Sequence, residues 1–153
     1  MENVSGAEWG TVGMLKGEYP YALDDKGRVV IPPRFRRVLG DQVVATRGID
    51  PCVTVYSPQE WAKVEEALRK LPTSKRDVTR YLLAGAVDLD LDRQGRVTLP
   101  VHLRQHAGIE RDVVVVGLIN RLEIWSRPAW QSYLEKAQKS APQIAEQLEE
   151  LSL

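Results

Sequence analysis

Short apolar runs separated by turn-forming residues predict β-strands in two parts of the chain. Residues 17–23 (GEYPYAL) and 28–31 (RVVI) are β-prone and flank the turn-favouring residues DDKG. Because an Asp can accept hydrogen bonds from the amides of its own loop and a Gly can adopt a positive φ, this segment predicts a hairpin. Apolar runs at 41–57 and 110–126, interrupted near Gly48 and Asn120, predict a further hairpin in each half.

Apolar residues at helical spacing predict two short helices, one after each turn-and-strand segment. Pro32 and Pro33 end the strand and favour the first turn of a helix, and Gly40 is expected to end that helix. The second half of the chain has the same order of features. The buried faces of the two helices are expected to carry Phe35, Val38 and Leu39 in the first half, and Leu103 and Ala107 in the second.

Longer amphipathic helices are predicted after the strands of each half. Ser57 and Glu60, with Pro58 between them, form a capping box at the start of one helix, and Ser126 is expected to cap another. A further helix is predicted over about 75–85, and the Glu- and Gln-rich stretch 140–153 is expected to be a frayed helical tail. The apolar faces carry Trp61, Val64, Leu68 and Leu71 in the first helix, and Trp130, Tyr133, Leu134 and Ala137 in the helix after Ser126.

The two halves of the chain are copies of one module. LDDKGRVVIP at 23–32 and LDRQGRVTLP at 91–100 are identical at six of ten positions, at an offset of 68. The correspondence continues for about 40 residues, so that Tyr56 matches Trp125 and Trp61 matches Trp130. A β-rich module of that size is too small to bury a good core alone. The two copies are therefore expected to pack together as an internal pseudo-dimer.

Composition indicates a soluble globular protein with balanced charge. The chain has 21 basic and 21 acidic residues and 43% hydrophobic residues, so it is not a uniformly polycationic binder, although a local basic patch is compatible with these numbers. No apolar run approaches the roughly 18–20 residues of a membrane span, and residues 1–13 lack the features of a signal peptide. Cys52 is the single cysteine, which agrees with a reducing compartment. We expect a cytoplasmic protein with no membrane partner.

Each copy places an Asp four residues before an Arg: Asp24 with Arg28, and Asp92 with Arg96. One interpretation is structural, because the Asp caps the loop and pairs with the Arg, and such exposed pairs contribute only about 0–1 kcal/mol. The other interpretation is functional: the turns form a basic edge that contacts an anion, and each Asp orients its Arg. The donors of that edge are Lys26, Arg28, Arg93 and Arg96, with Arg34, Arg36, Arg37 and Arg104 just downstream. Both interpretations can hold together.

The pattern L-D-x-x-G-R-x-x-x-P, twice in about 150 residues, resembles the MraZ family of bacterial regulators, which have two SpoVT/AbrB-type modules. The resemblance covers essentially residues 14–135, including MLKGEYPYALDDKGRVVIPPRFR at 14–36 and RYLLAGAVDLDLDRQGRVTLP at 80–100. Two features depart from the family pattern. Residues 1–13 precede the usual family start, and Arg93-Gln94 stands where the first copy has Asp25-Lys26, so the basic residue is displaced by one.

The resemblance implies an α+β fold in which two tandem AbrB-like modules form a pseudo-dimeric, double-split (swapped-hairpin) β-barrel with flanking helices. The boundaries expected here are an N-terminal extension at 1–13, module one at 18–60, connecting helices at 61–85, module two at 86–129, and a C-terminal helix and tail at 130–153.

The resemblance also implies a function. Such proteins bind short direct repeats upstream of their own operon, the division and cell-wall gene cluster, usually as repressors and as ring-shaped homo-oligomers of eight or more subunits. The expected partner is double-stranded DNA in the nucleoid, with no cofactor and no small-molecule substrate. The family's Asp-x-x-x-Arg motif contacts DNA, which here implies Asp24, Lys26, Gly27, Arg28, Asp92, Arg93, Gly95 and Arg96, with Arg34, Arg36, Arg37 and Arg104 as a secondary contact. An alternative is an oligomeric protein-interaction module of the antitoxin-like AbrB type.

The basic residues of the turns favour DNA as a partner independently of the resemblance. Arg and Lys on a firm turn can contact phosphates or guanine edges in the major groove. One module offers few such contacts and would bind weakly. A ring that repeats the contact at fixed spacing gains affinity through effective concentration.

The chemical motifs of enzymes and metal sites are weak in this chain. His102 and His106 share a helix face, but Leu103 stands where a zinc-protease helix needs a Glu base, and no third ligand is evident. Cys52 is interpreted as a buried thiol and not as a nucleophile. The alternating acids at 88, 90 and 92 favour a charge-protected edge strand over a divalent-cation site. We therefore expect no catalysis and no metal.

Two further sets of residues have competing interpretations. The aromatic side chains resemble a base-stacking set, but their positions on apolar faces favour a core or subunit interface. A second basic cluster is interpreted as a solvated face or a subunit contact in preference to a secondary DNA contact. The aromatic set is Tyr56, Trp61, Trp125 and Trp130, and the second basic cluster is Arg69, Lys70, Lys75, Arg76 and Arg80.

Overall fold

The computed structural model describes residues 15–153, so the extension predicted at 1–13 lies outside the described residues. The strands are β1 Lys16–Ala22, β2 Arg28–Val30, β3 Gln42–Arg47, β4 Cys52–Tyr56, β5 Val87–Asp90, β6 Arg96–Thr98, β7 Asp112–Leu118 and β8 Leu122–Ser126. The helices are α1 Pro33–Leu39, α2 Pro58–Arg69, α3 Arg76–Ala84, α4 Val101–Ala107, α5 Arg127–Lys139 and α6 Ala141–Glu150, with a 3-10 turn at Thr73–Lys75 before α3. The fold is thus the expected mixture of helices and antiparallel sheet.

The strands of the two copies interleave. Six strands form one antiparallel sheet in the order β1-β7-β8-β4-β3-β5, and β2 and β6 form a separate two-stranded ribbon. The predicted hairpins β3–β4 and β7–β8 are confirmed. The sheet is open, with β1 and β5 at its edges, so the closure implied by the predicted swapped-hairpin barrel is not confirmed.

The hairpin predicted over residues 17–31 is wrong. β1 pairs with β7 and β2 pairs with β6, so both strands find their partners in the other copy of the module. The turn between them is closed locally: the Asp24 carboxylate accepts the backbone N–H groups of Lys26 and Arg28, and the N–H of Asp24 donates to the carbonyl oxygen of Arg28 at 3.0 Å. No strand ladder between β1 and β2 continues from it. β2 has only three residues, whereas β1 aligns with all seven residues of β7. Cross-copy pairing therefore satisfies more backbone hydrogen bonds than a local hairpin would.

One hydrophobic core is shared by both copies. The predicted core residues Phe35 and Leu39 of α1 and Leu103 and Ala107 of α4 are buried in a single cluster with the inner faces of both sheets. Val38 is only partly buried and packs against the edge of that cluster. Fully burying a Val, Leu, Ile or Phe side chain contributes about 1.5–3 kcal/mol. The two copies therefore stabilise each other through the same buried surface.

The outer face of the large sheet is covered by the longer helices. The Ser57 and Ser126 hydroxyls each accept a backbone N–H at the start of their helix, from Glu60 and Ala129 at 3.2 Å, so both predicted caps are confirmed. Trp125 packs edge-on against Trp130, with ring centroids 5.3 Å apart. The predicted packing role is confirmed for the buried Trp61, Trp125 and Trp130, and Tyr56 is half-buried with its ring centroid 5.5 Å from that of Trp61. The stretch predicted as a frayed tail forms helix α6.

Candidate nucleic-acid interface

The first turn is organised around one carboxylate. Oδ1 of Asp24 accepts the backbone N–H of Lys26 at 3.0 Å and that of Arg28 at 2.9 Å. Oδ2 accepts Nε of Arg28. Gly27 adopts a φ of +77°, a conformation that residues with a Cβ rarely adopt. The turn is therefore a compact loop whose backbone N–H groups find their acceptors locally, and its Asp holds the Arg side chain through Nε.

The second turn repeats this arrangement. Oδ1 of Asp92 accepts the backbone N–H groups of Gln94 and Arg96, both at 2.9 Å, and Oδ2 accepts Nε of Arg96 at 2.8 Å. Gly95 has a φ of +75°. The ion pairs predicted by the structural interpretation are thus present in both copies. In each copy it is Nε of the Arg that bonds the Asp of its own turn.

The β2–β6 ribbon brings the two turns side by side. The N–H of Ile31 donates to the carbonyl oxygen of Gly95, and the N–H of Leu99 donates to that of Gly27, both at 2.9 Å. In the ribbon, Arg28 lies opposite Thr98 and Arg96 lies opposite Val30. Because side chains alternate along a strand, these two arginines share one face of the ribbon.

The other face of the ribbon is buried, since Val29 and Val97 lie in the core. Nη1 of Arg96 lies 3.8 Å from Oδ2 of Asp24, which joins the charges of the two turns. The side chains of Arg28 and Arg96 are 29% and 26% exposed. The two Asp-x-x-x-Arg motifs therefore form one continuous edge, and neither copy builds it alone.

Two further arginines brace this edge across the copies. Nε of Arg36 donates to the carbonyl oxygen of Ile31 at 2.9 Å, and Nε of Arg104 donates to that of Leu99 at 3.1 Å. The guanidinium of Arg36 lies against Gly95 of the second turn, and that of Arg104 lies against Gly27 of the first. Each turn is thus packed by the helix that belongs to the other copy, a role that the sequence pattern did not indicate.

The hydrogen bonds keep both turn carboxylates ionised. The backbone N–H and side chain of Arg28, with the N–H of Lys26, lower the pKa of Asp24 to about 2. The pKa of Asp92 is lowered by the equivalent bonds from Arg96 and Gln94. Each Asp therefore stays anionic, and its Arg stays paired, at any pH near neutrality.

The remaining predicted contact residues lie on the turns and on α1. Lys26 and Arg93 are exposed at the tips of the turns, and Arg37 is exposed on α1. Arg34 donates to the Tyr19 hydroxyl at 2.9 Å, a partner that the sequence analysis missed. The turns and their bracing arginines together carry six cationic side chains against three carboxylates. The cationic side chains are Lys26, Arg28, Arg36, Arg93, Arg96 and Arg104, and the carboxylates are Asp24, Asp25 and Asp92.

The histidines and the cysteine have structural environments. Nε2 of His102 lies 3.1 Å from the carbonyl oxygen of Gly85, and Nε2 of His106 lies 3.1 Å from that of Gly48. Cys52 is buried, as predicted, and burial raises the pKa of its thiol. In the described range 15–153, no three His, Cys, Asp or Glu side chains are grouped so as to hold a metal ion.

The acids at 88, 90 and 92 do not share one element. Asp88 and Asp90 are exposed on β5, which is an edge strand as predicted, and Asp92 belongs to the second turn. Among the described residues, none of the helices combines the length and the apolar character that crossing a membrane requires.

Comparisons with known proteins agree with the duplicated architecture. The family model described as "MraZ protein, putative antitoxin-like" matches the chain twice, over residues 14–83 and 82–151. A protein named "Transcriptional regulator MraZ" from Thermoanaerobacter pseudethanolicus is 47% identical over 143 residues, covering 92% of this chain and 100% of the relative. The protein of the same name from Syntrophomonas wolfei is 48% identical with the same coverage. That from Natranaerobius thermophilus is 46% identical over 138 residues, covering 88% of this chain and 96% of the relative.

Proposed function

The chain belongs to the MraZ family of transcriptional regulators, and on that premise we propose that it binds double-stranded DNA through its paired Asp-x-x-x-Arg turns. Transcription regulators are not a class of enzymes, and DNA is the partner that such a role implies. The observation that carries the proposal is the common face of the β2–β6 ribbon on which the half-buried Arg28 and Arg96 lie, opposite the face that is buried in the core. Two guanidinium groups held on one rigid edge suit the regularly spaced anions of a DNA backbone.

The mechanism follows from how each Arg is held. Nε of Arg28 and of Arg96 is occupied by the Asp of its own turn, and Nη1 of Arg96 also lies 3.8 Å from Oδ2 of Asp24. Each guanidinium is therefore already oriented and would lose little conformational freedom when its remaining terminal N–H groups bind a ligand. Such a pre-oriented fork can contact a phosphate, or O6 and N7 of a guanine in the major groove. Lys26 and Arg93 at the turn tips add phosphate contacts on either side. Arg34, Arg36, Arg37 and Arg104 are the proposed secondary contact with the same DNA.

The edge of one chain is small, so we propose that affinity comes from assembly. Several copies in a ring of eight or more would present the edge at a fixed spacing to short direct repeats of a promoter. Each contact is weak alone, and a second contact on the same DNA gains from a high effective concentration. The proposed target is the promoter of the chain's own operon, the division and cell-wall gene cluster, where occupancy of the repeats would repress transcription. The proposed modules span 18–60 and 86–129, flanked by 61–85 and 130–153.

The test is a binding titration with labelled duplexes. One duplex comes from upstream of the protein's own gene and the other is its scrambled counterpart, each at two salt concentrations. Arg28→Ala and Arg96→Ala are compared with Lys63→Ala, which removes an exposed ion-paired cation from α2, far from the turns in the sequence. The mass of every variant is measured by light scattering.

We expect each turn variant to bind the specific duplex about 5–150-fold more weakly, the range of one lost base contact. The dependence of affinity on salt should also decrease by about one ion per lost phosphate contact. Lys63→Ala should bind like the wild type. Turn variants that keep both affinity and mass would overturn the proposal. Failure of the wild type to bind either duplex at low salt would favour the antitoxin-like protein-interaction alternative.

A further inference from the structure

The β2–β6 ribbon has an approximate two-fold symmetry that relates the two copies of the module. Three pairs of residues lie directly opposite each other in it: Arg28 and Thr98, Val29 and Val97, and Val30 and Arg96. Corresponding positions of the copies are 68 residues apart, so exchanging the copies maps the first pair onto the last and the central pair onto itself. The pseudo-two-fold axis therefore passes through the central pair of valines.

Four side chains lie on the face of the ribbon that is turned away from the core. The central valines are buried in the core, and side chains alternate along a strand, so the residues on either side of each valine share the outer face. Of these four, Thr98 is exposed, and Val30 and the two arginines are half-buried. The outer face thus consists of two arginines related by the pseudo-two-fold axis, each with one β-branched neighbour on the opposite strand.

The symmetry of this face is broken at one pair of corresponding positions. Arg28 corresponds to Arg96, but Val30 corresponds to Thr98. Valine and threonine have nearly the same shape and differ by a hydroxyl in place of a methyl group. Residues directly opposite each other in an antiparallel pair have Cβ atoms about 4.5–5.5 Å apart. Arg28 therefore has a hydroxyl-bearing neighbour, whereas the neighbour of Arg96 is wholly apolar.

These two neighbours suit different bases of a duplex. The major groove admits a two-stranded ribbon, in which an arginine can pair with O6 and N7 of a guanine. A threonine hydroxyl can donate or accept a hydrogen bond at a base edge, whereas an apolar side chain contacts the C5 methyl group of thymine. A two-fold symmetric protein prefers a palindrome, because the symmetry of the site mirrors that of the protein. An edge with two different halves instead reads a site that has a direction.

We propose that Val30 and Thr98 determine the base specificity of the edge and give its site a direction. Val30 contacts the methyl group of a thymine next to the guanine that Arg96 reads. The Thr98 hydroxyl bonds a base edge next to the guanine that Arg28 reads. The residues that differ at the tips of the turns are assigned to phosphates, which carry no sequence information. The inference rests on the proposed function and deepens it, since direct repeats are sites with a direction.

The first experiment selects preferred sites from a library of randomised duplexes, using the full-length protein. The wild type should select a site that is not palindromic. Thr98→Val and Val30→Thr each make the two halves of the outer face alike, so each variant should select a palindrome. The double exchange restores two different halves in the opposite order, and it should recover the wild-type site because a site can be bound from either direction. The control Thr73→Val, at an exposed position in the 3-10 turn before α3, should select the wild-type site.

The second experiment measures the two contacts on the selected site. Uracil lacks only the C5 methyl group of thymine, so replacing the contacted thymine by uracil should weaken binding of the wild type about threefold to fivefold. Val30→Ala should bind the thymine and uracil duplexes equally, whereas Thr98→Val should still distinguish them. Thr98→Val should bind the wild-type site about 2–10-fold more weakly, the effect of one lost hydrogen bond.

The outcomes separate this inference from the proposed function. Single variants that select the wild-type site, or a wild type that selects a palindrome, would overturn the inference. A wild type that binds the thymine duplex and every uracil duplex equally would also overturn it. In each of these cases, binding that still requires Arg28 would leave the proposed function standing. A wild type that binds no duplex at low salt would overturn both.

Discussion

At the residue scale, Asp24 is the residue at which the structural and the functional interpretation of the paired turns can be tested separately. Its carboxylate accepts two backbone N–H groups of its own loop and also the Nε of Arg28. An Asn at this position keeps an oxygen for the backbone but loses the charge that holds the guanidinium. Asp25 lies beside it, exposed. Substitutions at Asp24 and at Asp25 therefore separate two effects of a carboxylate in this turn, the orientation of Arg28 and the negative charge itself.

We predict that Asp24→Asn lowers the discrimination between specific and scrambled duplexes while raising affinity for the scrambled one. The lost negative charge reduces repulsion of phosphates, and the freed Arg28 no longer presents one geometry. The control Asp25→Asn removes the same charge from the same turn and should raise both affinities with their ratio unchanged. The measurement is the ratio of the two dissociation constants for each variant. An unchanged ratio in Asp24→Asn would mean that Asp24 does not orient Arg28 for binding.

The low pKa of Asp24 also predicts a pH dependence of stability. Its folded-state pKa of about 2 is below the unfolded value of about 3.9, so ionised Asp24 stabilises the fold above about pH 4. That contribution is lost as pH falls from about 4 toward 2. The free energy of unfolding of the wild type should therefore exceed that of Asp24→Asn by a constant amount at pH 5–7. The difference should shrink below pH 4, and a difference that grows in acid would contradict the assignment.

Gly95 and Gly27 test the bracing by arginine. Both have positive φ, so replacement by Ala should cost about 1–2 kcal/mol at either site. A Cβ at Gly95 would also collide with the guanidinium of Arg36, whereas one at Gly27 would lie 3.2 Å from Cζ of Arg104. Gly95→Ala should thus be the more destabilising in urea unfolding, and adding Arg36→Ala should recover the excess. Equal losses that are insensitive to Arg36 would contradict cross-copy bracing.

At the element scale, helix starts were predictable because their signals are local. Ser57 and Ser126 precede their helices directly, and each hydroxyl makes the bond that the sequence indicates. The partner of a strand is not a local property. The turn at DDKG carries every sign of a hairpin, yet β1 and β2 pair with strands from the other copy. Nothing in the local pattern distinguishes a turn that joins paired strands from one that joins strands of different sheets.

The caps give a quantitative prediction at this scale. Ser126→Ala should lower the free energy of unfolding by about 0.5–2 kcal/mol, because the N–H of Ala129 loses its acceptor. Ser140 occupies the same position before α6, but its side chain makes no capping hydrogen bond. Ser140→Ala should therefore change the free energy by only a few tenths of a kcal/mol. Urea denaturation of both variants measures this contrast. A similar loss of unfolding free energy at the two sites would contradict the prediction.

At the scale of the whole molecule, comparing the two copies of the module predicted the architecture better than the local pattern of either copy alone. The repeat at an offset of 68 implied a pseudo-dimer, and every strand of the first copy does pair with a strand of the second. The turns and their residues were likewise identified from the repeat. Their merger into a single edge, and the contacts of Arg36 and Arg104 with the opposite turn, depend on tertiary pairing. The sequence could supply the parts of the candidate site but not their juxtaposition.

Interleaving predicts that the two copies unfold together. Phe35 of the first copy and Leu103 of the second are fully buried in one core. Replacing either one by Ala should therefore lower the urea midpoint of one and the same unfolding transition. The expected losses are about 3–5 kcal/mol for Phe35→Ala and about 2–5 kcal/mol for Leu103→Ala. Val101→Ala, at a 57% exposed position on the same helix as Leu103, should change stability by less than about 0.5 kcal/mol. Circular dichroism and tryptophan fluorescence should give coincident urea curves for all three variants. Two separated transitions, with each core substitution shifting only one of them, would mean that the two copies fold independently. The edge needs both turns, so it would then be lost as soon as either copy unfolded.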